Sequence, residues 1–325
     1  MFTNNIGHVV CKTDPNFNRR TIMSIPYKPV ANRTSDSQYQ DLLRKILETG
    51  KSSSVIQGED AIRIVGTQLR YDMSNGFPLI TERDMSGKFL TAALGEHIAF
   101  LNGAQTHEEL VKFGCKYWNR WTTKEKCEIF GLEAGDLGPG SYGAAWAKFP
   151  TAEGTPFNQI EHLQKQIKER PYLRTHILTP WIPQYTIQHE GLKRKVVVAP
   201  CHGWVHVVTY PKDKKFAIHH FQRSGDMPVG VPFNMVQYAA FGLMLGHLLD
   251  WEFVEYVHTF SDGHIYKSQT DHVKKLIDRE PRKLPTVSLD AEAVKNITDL
   301  RDFRPEHFVV SDYDPHEKMI IPTPV

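Results

Sequence analysis

Apolar residues recur at helical spacing in Tyr39-Gln-Asp-Leu-Leu-Arg-Lys-Ile-Leu, which predicts a helix with Ser37 as N-cap and Gly50 at its end. Alternation over Ala61–Tyr71 predicts a strand, and Asn75-Gly76 marks a turn before Phe77-Pro-Leu-Ile. Lys88–Leu101 carries Phe89, Leu90, Ala93, Leu94, His97, Ile98 and Leu101 on or near one face, and reads as a helix closed by Gly103. Residues 122–157 are rich in Gly and Pro and read as irregular. His162–Arg170 follows as a polar helix, and Thr175–Tyr185 as strand-like. Two β-rich runs come next, Lys195–Tyr210 and Phe216–Arg223. The segment after Asn234 is apolar nearly all round, which predicts a central buried helix. Val254–Phe260 then reads as a strand and Ile265–Arg279 as a further helix. Residues 1–36 contain Pro15, Pro26 and Pro29 and hold no period; they read as an N-terminal extension. With no internal repeat and no clear linker, residues 37–325 are expected to form one domain.

Composition narrows the picture. The 325 residues are 40% hydrophobic and 23% charged, as in ordinary globular chains. A net charge of +2 is too mild to argue for a nucleic-acid or membrane surface, though it leaves room for local phosphate sites. Cys11, Cys115, Cys127 and Cys201 form no C-x-x-C pair and no disulfide framework, which suits a reducing compartment. The start has no apolar run behind a basic one, and no stretch reaches the ~20 apolar residues of a bilayer span, so a cytoplasmic protein is expected. The sequons at Asn32 and Asn296 are then chance matches.

Chemistry-bearing residues concentrate between Cys201 and Asn234. Pro200 before Cys201 and Gly203 after it suggest a strand that bends and presents the thiol. Arg223 on the following run stands where its charge would stabilise a thiolate. The plain alternative is a small buried cysteine. A metal site from Cys201, His202, His206, His219 and His220 is the weaker reading, because no standard zinc spacing appears. Gly138-Pro-Gly-Ser-Tyr-Gly143 matches G-x-G-x-x-G in letters only. No strand precedes it, and the helix after it is too short to bind phosphate. Trp118 and Trp121 share a face if helical, as core aromatics or as the wall of a pocket for a planar ligand.

Taken together, these motifs resemble the folate-dependent thymidylate synthase family, which includes pyrimidine nucleotide hydroxymethylases. The resemblance runs from Ser37 to Val325. It is carried by Phe77-Pro-Leu-Ile-Thr, Glu96 in Gly-Glu-His-Ile-Ala-Phe-Leu, and Tyr142 in Gly138–Gly143. It continues through Pro200-Cys201-His202, Gln222-Arg223-Ser224-Gly-Asp226, Gly230-Val-Pro-Phe-Asn234 and Asp262-Gly-His264-Ile-Tyr266. The resemblance implies an α/β fold with a large twisted mixed sheet flanked by helices, the sheets packing back to back in a homodimer. It implies that Cys201 adds to C6 of a pyrimidine nucleoside 5′-monophosphate, so that C5 attacks the one-carbon unit of 5,10-methylenetetrahydrofolate. Arg223 and Ser224 would hold the phosphate, with Gln222 beside them, and Asn234 would pair with the N3–O4 edge of the base. His264 and Tyr266 would bind the sugar 3′-hydroxyl, and Glu96, Tyr142 and His202 would order the waters that move protons. Asp226 would bind the pterin, Trp118, Trp121, Gly230 and Phe233 would line the folate pocket, and the tail ending at Val325 would close over it. Arg174 would reach the phosphate of the neighbouring subunit.

The chain also departs from the family pattern. Only Arg174 remains of two adjacent arginines. The stretch Ser54–Ala61 has no arginine and two acids where a basic phosphate loop is usual. Glu82 precedes Arg83 where a basic residue is expected, Gly225 replaces a residue such as Cys, and Ala147 follows Trp146 in place of Arg. Lost phosphate contacts of this kind cost ~1.5–3 kcal/mol each unless replaced. Three readings follow: methylation of dUMP, which the tail, Asp226 and the two tryptophans favour; hydroxymethylation, which the altered phosphate loop suits; and a non-catalytic nucleotide- or RNA-binding relative. The intact Cys201, Arg223, Asp226 and Asn234 argue against the last.

Overall fold

The computed structural model describes residues 10–11, 21–22, 24–55 and 58–324. Its strands are β1 (Val10–Cys11), β2 (Thr21–Ile22), β3 (Lys51–Ser54), β4 (Asp60–Asp72), β5 (Ile177–Leu178), β6 (Trp204–Tyr210), β7 (Lys215–Gln222), β8 (Gly225–Asp226), β9 (Glu252–Tyr266), β10 (Thr286–Asp290) and β11 (Phe308–Ser311). The helices are α1 (Gln38–Thr49), α2 (Lys88–Leu101), α3 (His107–Lys112), α4 (Lys124–Ile129), α5 (Tyr142–Ala147), α6 (Gln159–Glu169), α7 (Pro183–Thr186), α8 (Gly230–Leu249), α9 (Thr270–Ile277) and α10 (Ala291–Val294).

Among the described residues the strands form two sheets. The larger, of seven strands, runs β3-β4-β9-β7-β6-β5 with β8 paired to β9. β7 and β8 lie parallel to β9 while the other pairings are antiparallel, so the sheet is mixed. These pairings place the site. β6 begins where β7 ends, Trp204 facing Phe221, so the chain before β6 lies beside the chain after β7. β8 then pairs Asp226 with His264 on the last stretch of β9. The smaller sheet, β1-β11-β10-β2, takes two short strands from before Ser37, so this part of the extension pairs with the fold rather than standing apart.

α8 is buried along almost its whole length, as its unbroken apolar composition predicts. Each fully buried Leu or Phe on it contributes roughly 2 kcal/mol. Gly242 lets it approach the sheet: a Cβ there would stand 2.3 Å from the Phe253 ring. α2 packs beside α8 and buries Leu90, Leu94, Ile98 and Phe100.

Several local expectations change. Ser37 and Gly50 stand at the N-cap and C-cap of α1 as expected, but the Ser37 hydroxyl goes to the Asp41 carboxylate while Asp36 accepts the Gln38 N–H, and Gly50 has φ −69, outside the left-handed region. Of Lys195–Tyr210 only Trp204–Tyr210 is strand, because the backbone before it bonds to Tyr185, Leu137 and Arg223 instead of to a neighbouring strand. Thr175–Tyr185 forms two strand residues and then α7, which Pro183 starts. β9 runs on to Tyr266, past the expected start of a helix at Ile265, because pairing with β4 extends to Ala61↔Tyr266. The helix begins only at Thr270. α6 begins at Gln159 because the Asn158 side chain caps it.

Candidate active site

The loop from Ala199 to Gly203 is held by one guanidinium. Arg223 Nε donates to the Pro200 carbonyl at 2.7 Å, and its Nη2 to the Ala199 carbonyl at 2.8 Å and the Cys201 Sγ at 3.4 Å. Its backbone N–H meets the Cys201 carbonyl at 2.8 Å, the contact that the β6–β7 pairing dictates. The guanidinium lies over the Trp181 ring at 5.6 Å. Among the described residues its Nη1 carries no hydrogen bond, leaving a charged donor for an anion. Gly203 has φ +100, a conformation that suits glycine, and turns the chain into β6 directly behind the thiol.

The Cys201 N–H donates to the Tyr142 hydroxyl at 2.7 Å, and the Tyr142 ring stacks on His202 at 4.4 Å. Burial pushes His202 down to about 3, so it is neutral near pH 7. With Nδ1 2.7 Å from the Tyr238 hydroxyl, it orients its neighbours rather than titrating. His97, with no hydrogen bond at either ring nitrogen, is also pushed down to about 3 by burial. Its ring sits edge-on to Trp146, Tyr238 and Phe241.

On the other side, a chain of side chains links α2 to the end of β7. Glu96 accepts the Trp118 indole N–H and the Gln237 amide, and hydrogen-bonds Tyr117. Asn234 donates to Gln237 Oε1 at 3.0 Å and accepts from Gln222 Nε2 at 3.0 Å. Gln222 Oε1 accepts from His258 Nε2 at 2.8 Å. Burial raises the Glu96 carboxyl above the usual range, and its three donors oppose that shift.

Asp226 is pushed up to about 6, chiefly by burial, against the pull of His264, Gln269, the Val229 N–H and Arg83. Gln269 Nε2 reaches both Asp226 oxygens, at 3.1 and 3.2 Å, and the Pro322 carbonyl at 2.9 Å. Arg83 adds a second tie, from Pro228 O (2.8 Å) to Met319 O (3.2 Å). The C-terminal tail is therefore joined to the Asp226 loop at two points. Beside it, Asp262 gathers Arg63 Nε (2.9 Å), the Ser224 hydroxyl (3.2 Å) and His264 Nδ1 (3.5 Å), and His264 and Arg63 hold it below the usual carboxylate range against its burial.

Of the residues singled out in the sequence, the structure connects Cys201, Arg223, His202 and Tyr142 in one cluster and Glu96, Trp118, Asn234 and Gln222 in another. Asp226, Ser224, His264 and Tyr266 lie at the adjoining β8–β9 ladder, with Tyr266 edge-on to His264 at 5.0 Å. Trp121 packs on Trp118 at 5.6 Å, and Phe233 meets Phe89 and Tyr117 edge-on. A Cβ at Gly230 would stand 3.8 Å from Asp226, an ordinary contact, so packing alone does not demand glycine there. Arg174 is exposed and makes no hydrogen bond to this group. Val325 lies outside the described residues. Gly138–Gly143 leads into α5 with no strand before it, as expected.

Sequence reasoning missed Tyr117, Trp181, Gln237, Tyr238 and Gln269. The signal for Gln237 was its i,i+3 spacing from Asn234 on a helix. Among the described residues no group of His, Cys, Asp and Glu is placed to hold a metal ion, and no helix is long and apolar enough to cross a membrane.

The mixed α/β sheet carries a thiol beside a guanidinium, and the Glu96 and Asp226 carboxyls near neutral amides, groups of the kind that covalent group transfer uses. The thymidylate synthase family profile matches residues 37–325, nearly the whole chain, and the chain belongs to that family. It is a C1-transferase that uses a folate to carry a one-carbon unit to a pyrimidine nucleotide.

Proposed function

We propose that the chain methylates dUMP reductively, through a covalent bond between Cys201 and C6 of the base. The observation that carries this reading is the double tie of the tail to the Asp226 loop through Gln269 and Arg83. A tail held there would keep water from the methylene carried on C5 after one-carbon transfer, so that this methylene takes a hydride rather than a water oxygen.

Addition of the thiolate to C6 makes C5 nucleophilic. Arg223 holds the nucleophile loop with Nη2 3.4 Å from the sulfur and offers Nη1 to the phosphate, which Ser224 also meets. Asn234 pairs with the base, and His264 and Tyr266 hold the sugar. Glu96, kept in place by Trp118, Tyr117 and Gln237, handles protons on the base face, while Tyr142 and His202 hold the nucleophile loop.

The donor set suits a reduced folate. Asp226, at about 6, meets the polar pterin edge, and Trp121, Trp118 and Phe233 supply apolar faces. When bound, 5,10-methylenetetrahydrofolate supplies the one-carbon unit and, for methylation, the hydride. A homodimer fits the exposed Tyr172 (72%), Leu173 (44%) and Ile177 (53%) around Arg174, which a second copy would cover while lending it that arginine. The free thiols Cys115, Cys127 and Cys201 suit a reducing cytoplasm. Residues 37–325 act as one catalytic domain in this reading.

Hydroxymethylation is the second reading, favoured by the stretch Ser54–Ala61, which has two acids and no arginine. Incubation with methylenetetrahydrofolate and dUMP, UMP, dCMP or CMP separates the two by product mass. A methyl product with stoichiometric dihydrofolate is expected, and none from Cys201→Ala. A hydroxymethyl product without dihydrofolate would replace the first reading by the second.

A further inference from the structure

Asn234 is gripped from both sides by glutamines, and a backbone carbonyl sets the direction of each. Gln237 Nε2 donates to the Ala93 carbonyl at 3.1 Å and to Glu96, which turns its Oε1 toward Asn234 Nδ2 at 3.0 Å. Gln222 Nε2 donates to the Ser224 carbonyl at 3.0 Å and to Asn234 Oδ1 at 3.0 Å. A carbonyl only accepts, so neither glutamine can reverse without setting oxygen against oxygen. Gln237, Gln222 and Asn234 are buried (0%, 2% and 6% exposed), so a mismatched atom would find no water.

We propose that Gln237 and Gln222 lock the polarity of the Asn234 amide so that it accepts uracil and rejects cytosine, with Gln237 the specificity-determining positioning residue. The proposal rests on the reading that Asn234 faces the base. Once both glutamines are served, Asn234 keeps one N–H and one oxygen lone pair. Uracil answers these with O4 as acceptor and N3–H as donor. Cytosine offers a donor at C4 and an acceptor at N3, and would need the amide reversed. Reversal would set Nδ2 against Gln222 Nε2 and Oδ1 against Gln237 Oε1, two mismatches at once. Asn234 alone could turn to suit either base; the two glutamines remove that freedom.

The test is calorimetric binding of dUMP, UMP, dCMP and CMP to the wild-type chain and to Gln237→Met, which keeps length but neither donates nor accepts through an amide. The wild type is expected to prefer uracil over cytosine at matched sugar by about a hundredfold. Gln237→Met should lower that ratio by about tenfold or more, partly through gained cytosine affinity, with its melting temperature as the check on folding. If Gln237→Met does not fold, Gln237→Ala is judged by the same ratio. A folded variant that keeps the wild-type ratio, or weakens both bases equally, overturns the lock and leaves the proposed reaction standing. A wild type that binds no pyrimidine nucleotide overturns the base-site reading and the lock with it, and a wild type that prefers cytosine overturns the lock alone.

Discussion

Glu96 and Glu82 are both glutamates with almost no exposed surface, 5% and 2%, yet their surroundings differ in kind. Glu96 is met by the Trp118 indole, the Gln237 amide and Tyr117. Glu82 accepts the Thr81 N–H at 3.0 Å and its own backbone N–H, and Asp36 adds a like charge. Burial raises both carboxyls, and it carries Glu82 to about 7. The lesson is that burial alone does not make a carboxylate a working group. Three side-chain donors brought from two other segments make Glu96 a positioned acceptor, whereas Glu82 is a buried acid with little to offset its desolvation.

The sharpest way to break this comparison is Glu96→Gln. Its new N–H must point at the Trp118 indole or the Gln237 amide, both already donors. Turnover should fall by about 10²–10⁴ with nucleotide affinity little changed, read by single-turnover product formation. A rate within a few-fold of wild type would show that this carboxylate moves no proton.

Glu82→Gln should act on stability instead. The folded carboxyl titrates at about 7 against an ordinary 4.5. Below 4.5 the group is protonated whether the chain is folded or not, and its favourable contribution is intact. Between 4.5 and 7 the unfolded chain ionises first and stability is lost; above 7 the loss is complete. Glu82→Gln is therefore expected to stabilise by about 3 kcal/mol at mildly alkaline pH and hardly at all below 4.5, measured by urea unfolding at both. Equal effects at the two pH values would contradict the buried, weakly compensated charge.

The smallest effect sharpens the comparison. Trp118→Phe removes one donor from Glu96 and keeps an aromatic ring. Losing that bond should lower kcat/KM by about tenfold and raise the Glu96 carboxyl further, so the acid limb of the pH–rate profile moves to higher pH. An unmoved profile would leave Trp118 a packing residue only.

Much of the fold was legible because its signals are local. α2 begins and ends where the apolar stripe over Lys88–Leu101 does, and the all-round apolar run after Asn234 is the buried α8. The short helices α4 and α5 escape the reading of 122–157 as irregular, and the failures at strands fall where long-range pairing overrides local pattern. Ile265 and Tyr266 look helical from their neighbours, yet Ala61 and Ile62 extend the ladder across them. β10 and β11 were not foreseen, since their partners include residues more than two hundred positions away. In the site, Cys201 and Arg223 were legible from strand-end motifs, but Gln237 and Gln269 were not. Their partners, Ala93 and Glu96 for one and Asp226 and Pro322 for the other, come from distant segments.

The sequence by itself determined which groups this protein has to work with: a thiol after a proline, an arginine at a strand end, an asparagine at the start of an apolar helix. Those follow from residue identity and spacing, which need no partner. Only the tertiary structure decided how they point. An amide reads alike in either orientation until Ala93 and Ser224 present carbonyls to the glutamines beside it. A glutamate has one ordinary pKa until its burial and its donors are known. Hydrogen-bond direction and desolvation belong to the neighbours a side chain meets, and folding chooses them.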